Sequence, residues 1–272
     1  MVQIAATVIG AGVVIYGLVS YFLTRTIRPA DKVNWNPGQA IAVAAAVFLV
    51  AQIVVAIIVS SIGIILTGSP STEWLKGGAV DQFIFILLIE AATIAGLINF
   101  MRRRGTALKA IGVVRPAWSD AGLALVGALI YFLAYIAFVS IVSAVIPGLN
   151  LEQEQDIGFD KNTAGLSLIP IFISLVVLPP LVEEFIFRGF IYTGLRNRFK
   201  LLTAGLITSL IFAVAHLQFG SGNALLYVAA IDTFVLSMVM INLRERSGSL
   251  WPSIGLHAIK NGIAFTVLFI VK

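Results

Sequence analysis

The chain has 272 residues, of which 59% are hydrophobic and only 11% are charged, and its mean hydropathy is +1.01. Soluble domains carry about a quarter charged residues, so this composition excludes a soluble globular protein and predicts a polytopic membrane protein. The net charge of +5 comes from basic residues dispersed through short loops, which favours the ends of membrane spans over a nucleic-acid surface. Cysteine is absent, which excludes disulfides, thiolate metal ligands and a cysteine nucleophile.

Long apolar runs follow one another along the chain. A membrane-spanning helix needs roughly 17 to 25 apolar residues, and we identify about eight such runs. They predict an all-α fold, a bundle of about eight transmembrane helices around an intramembrane polar cavity. The predicted spans are residues 2–23, 40–66, 83–101, 121–146, 166–195, 201–217, 224–243 and 250–271.

Basic and non-basic loops alternate between these spans. The loops rich in lysine and arginine are 25–32, 102–115, 196–200 and 244–246. Because basic residues favour the cytoplasmic side, these loops are predicted to be cytoplasmic and both termini to lie outside. We expect a single membrane domain over 1–272, in which 1–78 form two peripheral helices and 79–272 form the functional core.

Two histidines and two glutamates occupy apolar sequence. The chain has two histidines, His216 and His257, and both follow the adjacent pair Glu183 and Glu184. Ionisable groups in a hydrocarbon layer must be paired or hydrated, so we predict a buried reaction centre. Arg188 lies four residues beyond Glu184 and is placed for a buried ion pair, which leaves Glu183 as the freer carboxylate. The alternative is a charge cluster that stabilises a helix end.

Pro179 and Pro180 precede the glutamates in the fifth span. Prolines lack a backbone donor and disfavour helix before them, so we expect the helix to kink or restart there. Glu183 would then lie near a helix amino terminus, where the dipole stabilises a carboxylate.

The last span carries a second polar pair. His257 and Asn261 are four residues apart and therefore share one helix face, predicted to point into the bundle. Interhelical hydrogen bonding without chemistry is the alternative for this pair, and a loop hydrogen bond is the alternative for His216.

Three short motifs in this order resemble a known family. EExxxR at 183–188, FxxxH at 212–216 and HxxxN at 257–261 are similar to motifs of the CPBP intramembrane proteases. That superfamily includes type II CAAX prenyl endopeptidases and bacteriocin-processing and immunity proteins, and the similarity covers about 179–265.

The resemblance implies hydrolysis of a peptide bond near a membrane-associated or prenylated, CAAX-type carboxyl terminus. Glu183 with His216 would activate water, and His257 with Asn261 would donate hydrogen bonds to the oxyanion. Glu184 and Arg188 would support the site. The expected partners are membrane lipid and the substrate, with no nucleic acid, and the site of this multi-pass protein is predicted to open toward the cytoplasm.

Other interpretations remain alongside this one. Glu183, His216 and His257 also make an acceptable catalytic zinc set, but they lack HExxH spacing, and we favour catalysis without a cofactor. A noncatalytic immunity or scaffold protein and the proton relay of a transporter are further alternatives. Glu90, Asp232 and Lys260 also lie in predicted spans, and the sequence does not assign them a role.

Overall fold

The computed structural model describes residues 32–68, 78–146, 150–153, 155–219 and 225–271. Helices dominate these residues, and the predicted all-α membrane fold is confirmed. A 3-10 turn covers Leu108–Ile111, and the short strands β1 (Gln218–Phe219) and β2 (Leu225–Leu226) pair in antiparallel register. The helices are α1 Pro37–Thr67, α2 Ala79–Arg103, α3 Trp118–Val145, α4 Gly165–Arg196, α5 Leu201–Ala215, α6 Val228–Ser247 and α7 Trp251–Ile270.

Five of these helices, α1, α2, α3, α4 and α7, are long and apolar enough to cross a membrane, as expected of an integral membrane protein. The predicted span 2–23 lies outside the described residues. The sixth predicted span is a helix of 15 residues. At 1.5 Å per residue it is about 23 Å long, less than the roughly 30 Å hydrocarbon core. The seventh begins at Val228 rather than at 224, because β2 precedes it, and its last turn carries Arg244, Glu245 and Arg246.

Helix α4 continues through its two prolines. The backbone is π-helical at Ile173–Val177, α-helical at Leu178–Glu184 and π-helical again at Phe185–Ile191. The prolines fall in the first turn of the middle segment, but Val177 before them is helical, with φ −103° and ψ −53°. The helix therefore does not end and restart at the prolines, because π-helical turns carry it past them, and the predicted kink stays a prediction. Across the fully described segment 165–196, no helix begins near Glu183 to stabilise its charge.

The chain divides into two compact units, each described by itself. The first, here called the Glu183 unit, lies within Ala30–Val114, Gly158–Phe199 and His257–Lys272. The second, the His216 unit, has its described parts within Arg115–Ile157 and Lys200–Leu256. The unit boundary falls inside α7, after Leu256. The predicted division of the chain at residue 78 into peripheral and functional helices stays a prediction.

In the Glu183 unit, α1 packs against α2 and α4. Trp35 precedes α1 and stacks on Phe190 of α4 with ring centroids 4.7 Å apart, and its indole N–H donates to the Phe190 carbonyl at 3.3 Å. The Asn197 amide accepts from the Val33 N–H and donates to the Val33 and Trp35 carbonyls. The chain entering α1 is thereby fixed to the end of the helix that carries Glu183.

In the His216 unit, α6 packs against α3 and α5. Gly127 of α3 permits the approach of α6, because a Cβ there would lie 2.7 Å from Leu243 Cδ1. The Tyr131 hydroxyl of α3 donates to the Asp232 carboxylate of α6. Small residues and polar bonds of this kind hold transmembrane helices together where lipid removes the hydrophobic driving force.

Gly194 gives a direct test of the α1–α4 contact. We expect Gly194→Ala to lower stability by about 1–3 kcal/mol, the usual cost of overpacking. The reason is that its Cβ would lie 2.6 Å from both Ala40 Cβ and Trp35 Nε1. Thermal unfolding in detergent measures the effect. The matched control is Gly122→Ala, at a helical position where an added Cβ would have open space around it. A midpoint for Gly194→Ala equal to that of the control would contradict the packing.

Candidate active site

Helices α4 and α7 run antiparallel where they meet in the Glu183 unit. In the contacts between them, the residue numbers along α7 decrease as those along α4 increase. The Phe172 and Phe265 rings meet edge to face at 5.2 Å, and a Cβ on Gly262 would lie 3.7 Å from Val176 Cγ1. From one end to the other, the contacts are Phe172 with Phe265, Val176 with Gly262, Leu175 with Asn261, and Glu184 with His257.

Glu184 and Arg188 form the ion pair that their spacing predicts. Arg188 donates to Glu184 Oε1 at 2.9 Å, and both side chains are completely buried. Because the two residues are one helical turn apart on α4, the pair can form wherever the helix is formed. A buried pair of this kind fixes the carboxylate, since removal of either partner would leave an uncompensated charge.

His257 of α7 lies between the two glutamates of α4. Its Nδ1 is 3.1 Å from Glu184 Oε1, and its Nε2 is 4.0 Å from Glu183 Oε2. An ionised carboxylate can only accept, so we assign the hydrogen of this bond to Nδ1. The His257 side chain is 5% exposed, whereas that of Glu183 is 27% exposed. Glu184 is therefore the fully buried anchor of the imidazole, and Glu183 has the more exposed side chain, although its Oε2 is itself buried.

Asn261 lies one turn beyond His257 on the same face of α7, as the HxxxN spacing predicts. Its amide Nδ2 donates to the Leu175 carbonyl of α4 at 2.9 Å. This bond joins the helix of the HxxxN motif to the helix of the EExxxR motif. Leu175 lies shortly before the proline pair that precedes Glu183.

His216 belongs to the His216 unit, where it follows the last turn of α5. Its Nδ1 is 2.8 Å from the Phe212 carbonyl, and its ring meets the Phe212 ring edge to face at 4.5 Å. A carbonyl only accepts, so Nδ1 carries the hydrogen here too. The FxxxH spacing thus has a local explanation, since both contacts join residues one turn apart. The participation of His216 in catalysis stays a prediction.

Glu90 was not assigned a role from the sequence. It lies on α2 in the Glu183 unit, half-buried, and its carboxyl group is near enough to Glu183 for the two to interact electrostatically. A charged residue inside an apolar span signals a functional position. That signal could have marked Glu90 as a candidate, but it does not show that Glu90 lies near Glu183 of another helix. Asp232, the other unassigned carboxylate, pairs with Tyr131 in the His216 unit.

Metal ligation was the main alternative chemistry. Within the described ranges, no three histidine, aspartate or glutamate side chains are grouped so that they could hold a metal ion. Of the three residues of the zinc alternative, Glu183 and His257 belong to the Glu183 unit and His216 belongs to the His216 unit. Metal analysis of the purified protein tests this alternative.

The apolar helices and the buried glutamate–histidine cluster define an integral membrane protein with an ionisable intramembrane site. Residues 165–263 match the family model of the type II CAAX prenyl endopeptidase Rce1-like proteins. The chain is also similar to the membrane-embedded CAAX protease MroQ of Staphylococcus aureus (strain USA300). The two are 34% identical over 153 residues, which are 52% of this chain and 58% of that protein. The matched segment contains all three motifs, and its similarity to these proteins agrees with the resemblance that the motifs indicate. No solved structure matches it.

Proposed function

We propose that the chain is an intramembrane endopeptidase that hydrolyses a peptide bond near the carboxyl terminus of a membrane-associated or prenylated, CAAX-type substrate. The observation that carries the proposal is the placement of His257 between a fully buried glutamate, Glu184, and a partly exposed one, Glu183. The CAAX protease similarity of the chain supports the same reaction class and substrate class. An accessible carboxylate beside an imidazole is suited to the activation of water.

In the proposed reaction, Glu183 takes a proton from water, assisted by His216 on the strength of the FxxxH motif. The resulting hydroxide attacks the carbonyl carbon of the substrate, and a tetrahedral oxyanion forms. The C–N bond then breaks, and the proton passes to the leaving amine. Each step uses a group that the motifs supply, so no cofactor is required by this scheme.

His257 and Asn261 are proposed to donate hydrogen bonds to the oxyanion. Because Nδ1–H of His257 is directed at Glu184, donation to an oxyanion must come from Nε2–H. The imidazole therefore carries a proton on both nitrogens when it performs this role. Loss of one oxyanion donor typically costs about 3 kcal/mol in the barrier. Glu184 and Arg188 act by holding the ring in place.

The proposed orientation places the site open to the cytoplasm. Arg102 and Arg103 end α2 and Arg196 ends α4, so the ends of both helices are basic in the Glu183 unit. Basic helix ends favour the cytoplasmic face and the anionic lipids there. A reporter fused after Lys272 tests this orientation, because a cytoplasmic reporter would contradict the predicted outside location of the carboxyl terminus.

The proposed substrate class is tested with purified protein in lipid nanodiscs. Two CAAX peptides of one sequence, one farnesylated and one without lipid, are supplied, and their fragments are followed by chromatography. We expect cleavage of the farnesylated peptide with the higher kcat/KM, because lipid anchoring delivers the peptide to an intramembrane site. No cleavage of either peptide would favour a noncatalytic immunity or scaffold role. Stoichiometric zinc whose removal abolishes cleavage would contradict the metal-free reaction.

A further inference from the structure

The Leu175 carbonyl occupies an unusual place in α4. A helical carbonyl accepts from the N–H four residues on in an α-helix and five residues on in a π-helix. For Leu175 these residues are Pro179 and Pro180, neither of which has an N–H. The N–H three residues on, that of Leu178, bonds to the Ile173 carbonyl instead. The proline pair therefore removes the helical donors of this carbonyl in either register.

Asn261 of α7 supplies the donor that the helix lacks. Its Nδ2 bonds to the Leu175 carbonyl at 2.9 Å. The next residue, Gly262, also faces α4, since a Cβ there would lie in ordinary van der Waals contact, 3.7 Å from Val176 Cγ1. In a lipid surrounding, no water can replace a missing donor, so this bond favours one alignment of the two helices.

That alignment bears directly on the proposed centre. Asn261 and His257 are one turn apart on α7, and a shift by one turn would move His257 by about 5.4 Å along α4. Such a shift would remove His257 from Glu183 and Glu184. We propose that Asn261 is a positioning residue, whose amide replaces the donors missing at Pro179 and Pro180 and so fixes the register that holds His257 between the two glutamates.

This inference rests on the proposed function and extends it. The Asn261 amide has two N–H groups, and donation of one to Leu175 leaves the proposed oxyanion role to the other. The prolines of α4 remove a backbone donor, and the asparagine of α7 replaces it. We therefore expect the replacement of Asn261 to have a smaller effect when residues 179 and 180 of α4 each have a backbone N–H.

The test uses the fact that the chain contains two histidines. In protein labelled with ¹⁵N-histidine, the spectrum of a His216→Ala background contains the imidazole signals of His257 alone. We expect Asn261→Ala to shift the His257 ring signals, because the bond to Glu184 is disturbed. Adding Pro179→Ala and Pro180→Ala restores donors for both registers, and the signals are expected to return toward the wild-type positions. Pro170→Ala, earlier in the same helix, is the matched control. Added to Asn261→Ala, it should leave the His257 ring signals at their shifted positions.

Kinetics in the His216 wild-type background give the second readout. Asn261→Ala is expected to lower kcat by more than the roughly 10²- to 10³-fold that loss of one oxyanion donor costs, because misplacement of His257 adds a further loss, and that further part should be recovered when both prolines are replaced. A combined variant that resembles Asn261→Ala in the spectrum, or that fails to fold, overturns the inference. An equal kcat loss in both backgrounds also overturns it. If the wild-type protein cleaves no peptide while the spectral rescue occurs, the proposed function fails and the helix register stands.

Discussion

Replacement of Glu183 by glutamine is expected to lower kcat/KM for peptide cleavage by about 10²- to 10⁴-fold, the range contributed by a general base. Glutamine keeps the size of the side chain but cannot take a proton from water. The Glu184–Arg188 ion pair and the Glu184–His257 bond do not involve this side chain, so the unfolding midpoint should stay close to that of the wild type. Steady-state cleavage of the farnesylated peptide gives the rate, and thermal unfolding in detergent gives the midpoint.

The matched control for this experiment is Glu152→Gln, which makes the same chemical change at an exposed loop position. It should retain wild-type cleavage. His216→Ala, measured alongside, is expected to lose activity to a similar degree if the two residues act together. Cleavage by Glu183→Gln at the rate of Glu152→Gln would remove Glu183 from the reaction.

Replacement of Arg188 by methionine is expected to destabilise the protein by about 3–5 kcal/mol. Both members of the Glu184–Arg188 pair are completely buried, so the change would leave the Glu184 carboxylate without its cation in an apolar interior. The unfolding midpoint in detergent should fall well below that of the wild type. Arg198→Met, at an exposed position near the end of the same helix, is the control and should change the midpoint little.

A second variant separates charge burial from simple loss of packing. Arg188→Met combined with Glu184→Gln removes both charges, and we expect most of the lost stability to return. Activity should stay low, because the glutamine side chain is a poorer anchor for the His257 imidazole. If the double variant is as unstable as Arg188→Met alone, the ion pair is not the cause of the destabilisation.

Contacts within one helical turn are the part of the site that the sequence predicts well. The Glu184–Arg188 pair and the shared face of His257 and Asn261 depend on helical periodicity alone. In the part of the chain that the structure describes, the helices follow the hydropathy pattern, and their ends differ from those of the predicted spans by a few residues. Helix α5, the sixth predicted span, ends at Ala215 because His216 and Leu217 form a turn before β1.

Contacts between helices were beyond sequence reasoning. Nothing in the HxxxN motif indicates that Asn261 would bond to Leu175, or that His257 would reach Glu184 as well as Glu183. These contacts depend on the register of α7 on α4, which depends on the packing of the whole interface. The proline pair predicts a kink or a restart, because proline has a low helix propensity and disfavours helix before it. The π-helical turn at Ile173–Val177 is the local solution that propensity does not include.

The most direct test of the account is the product of cleavage in water enriched in ¹⁸O. Purified wild-type protein and the Glu183→Gln variant are each given the farnesylated CAAX peptide, and the fragments are weighed by mass spectrometry. The account predicts that the wild type releases the residues beyond the prenylated position and leaves one ¹⁸O atom in the new carboxyl group, while the variant gives neither product. An intact peptide with the wild type, or the same labelled fragment from both proteins, would contradict it.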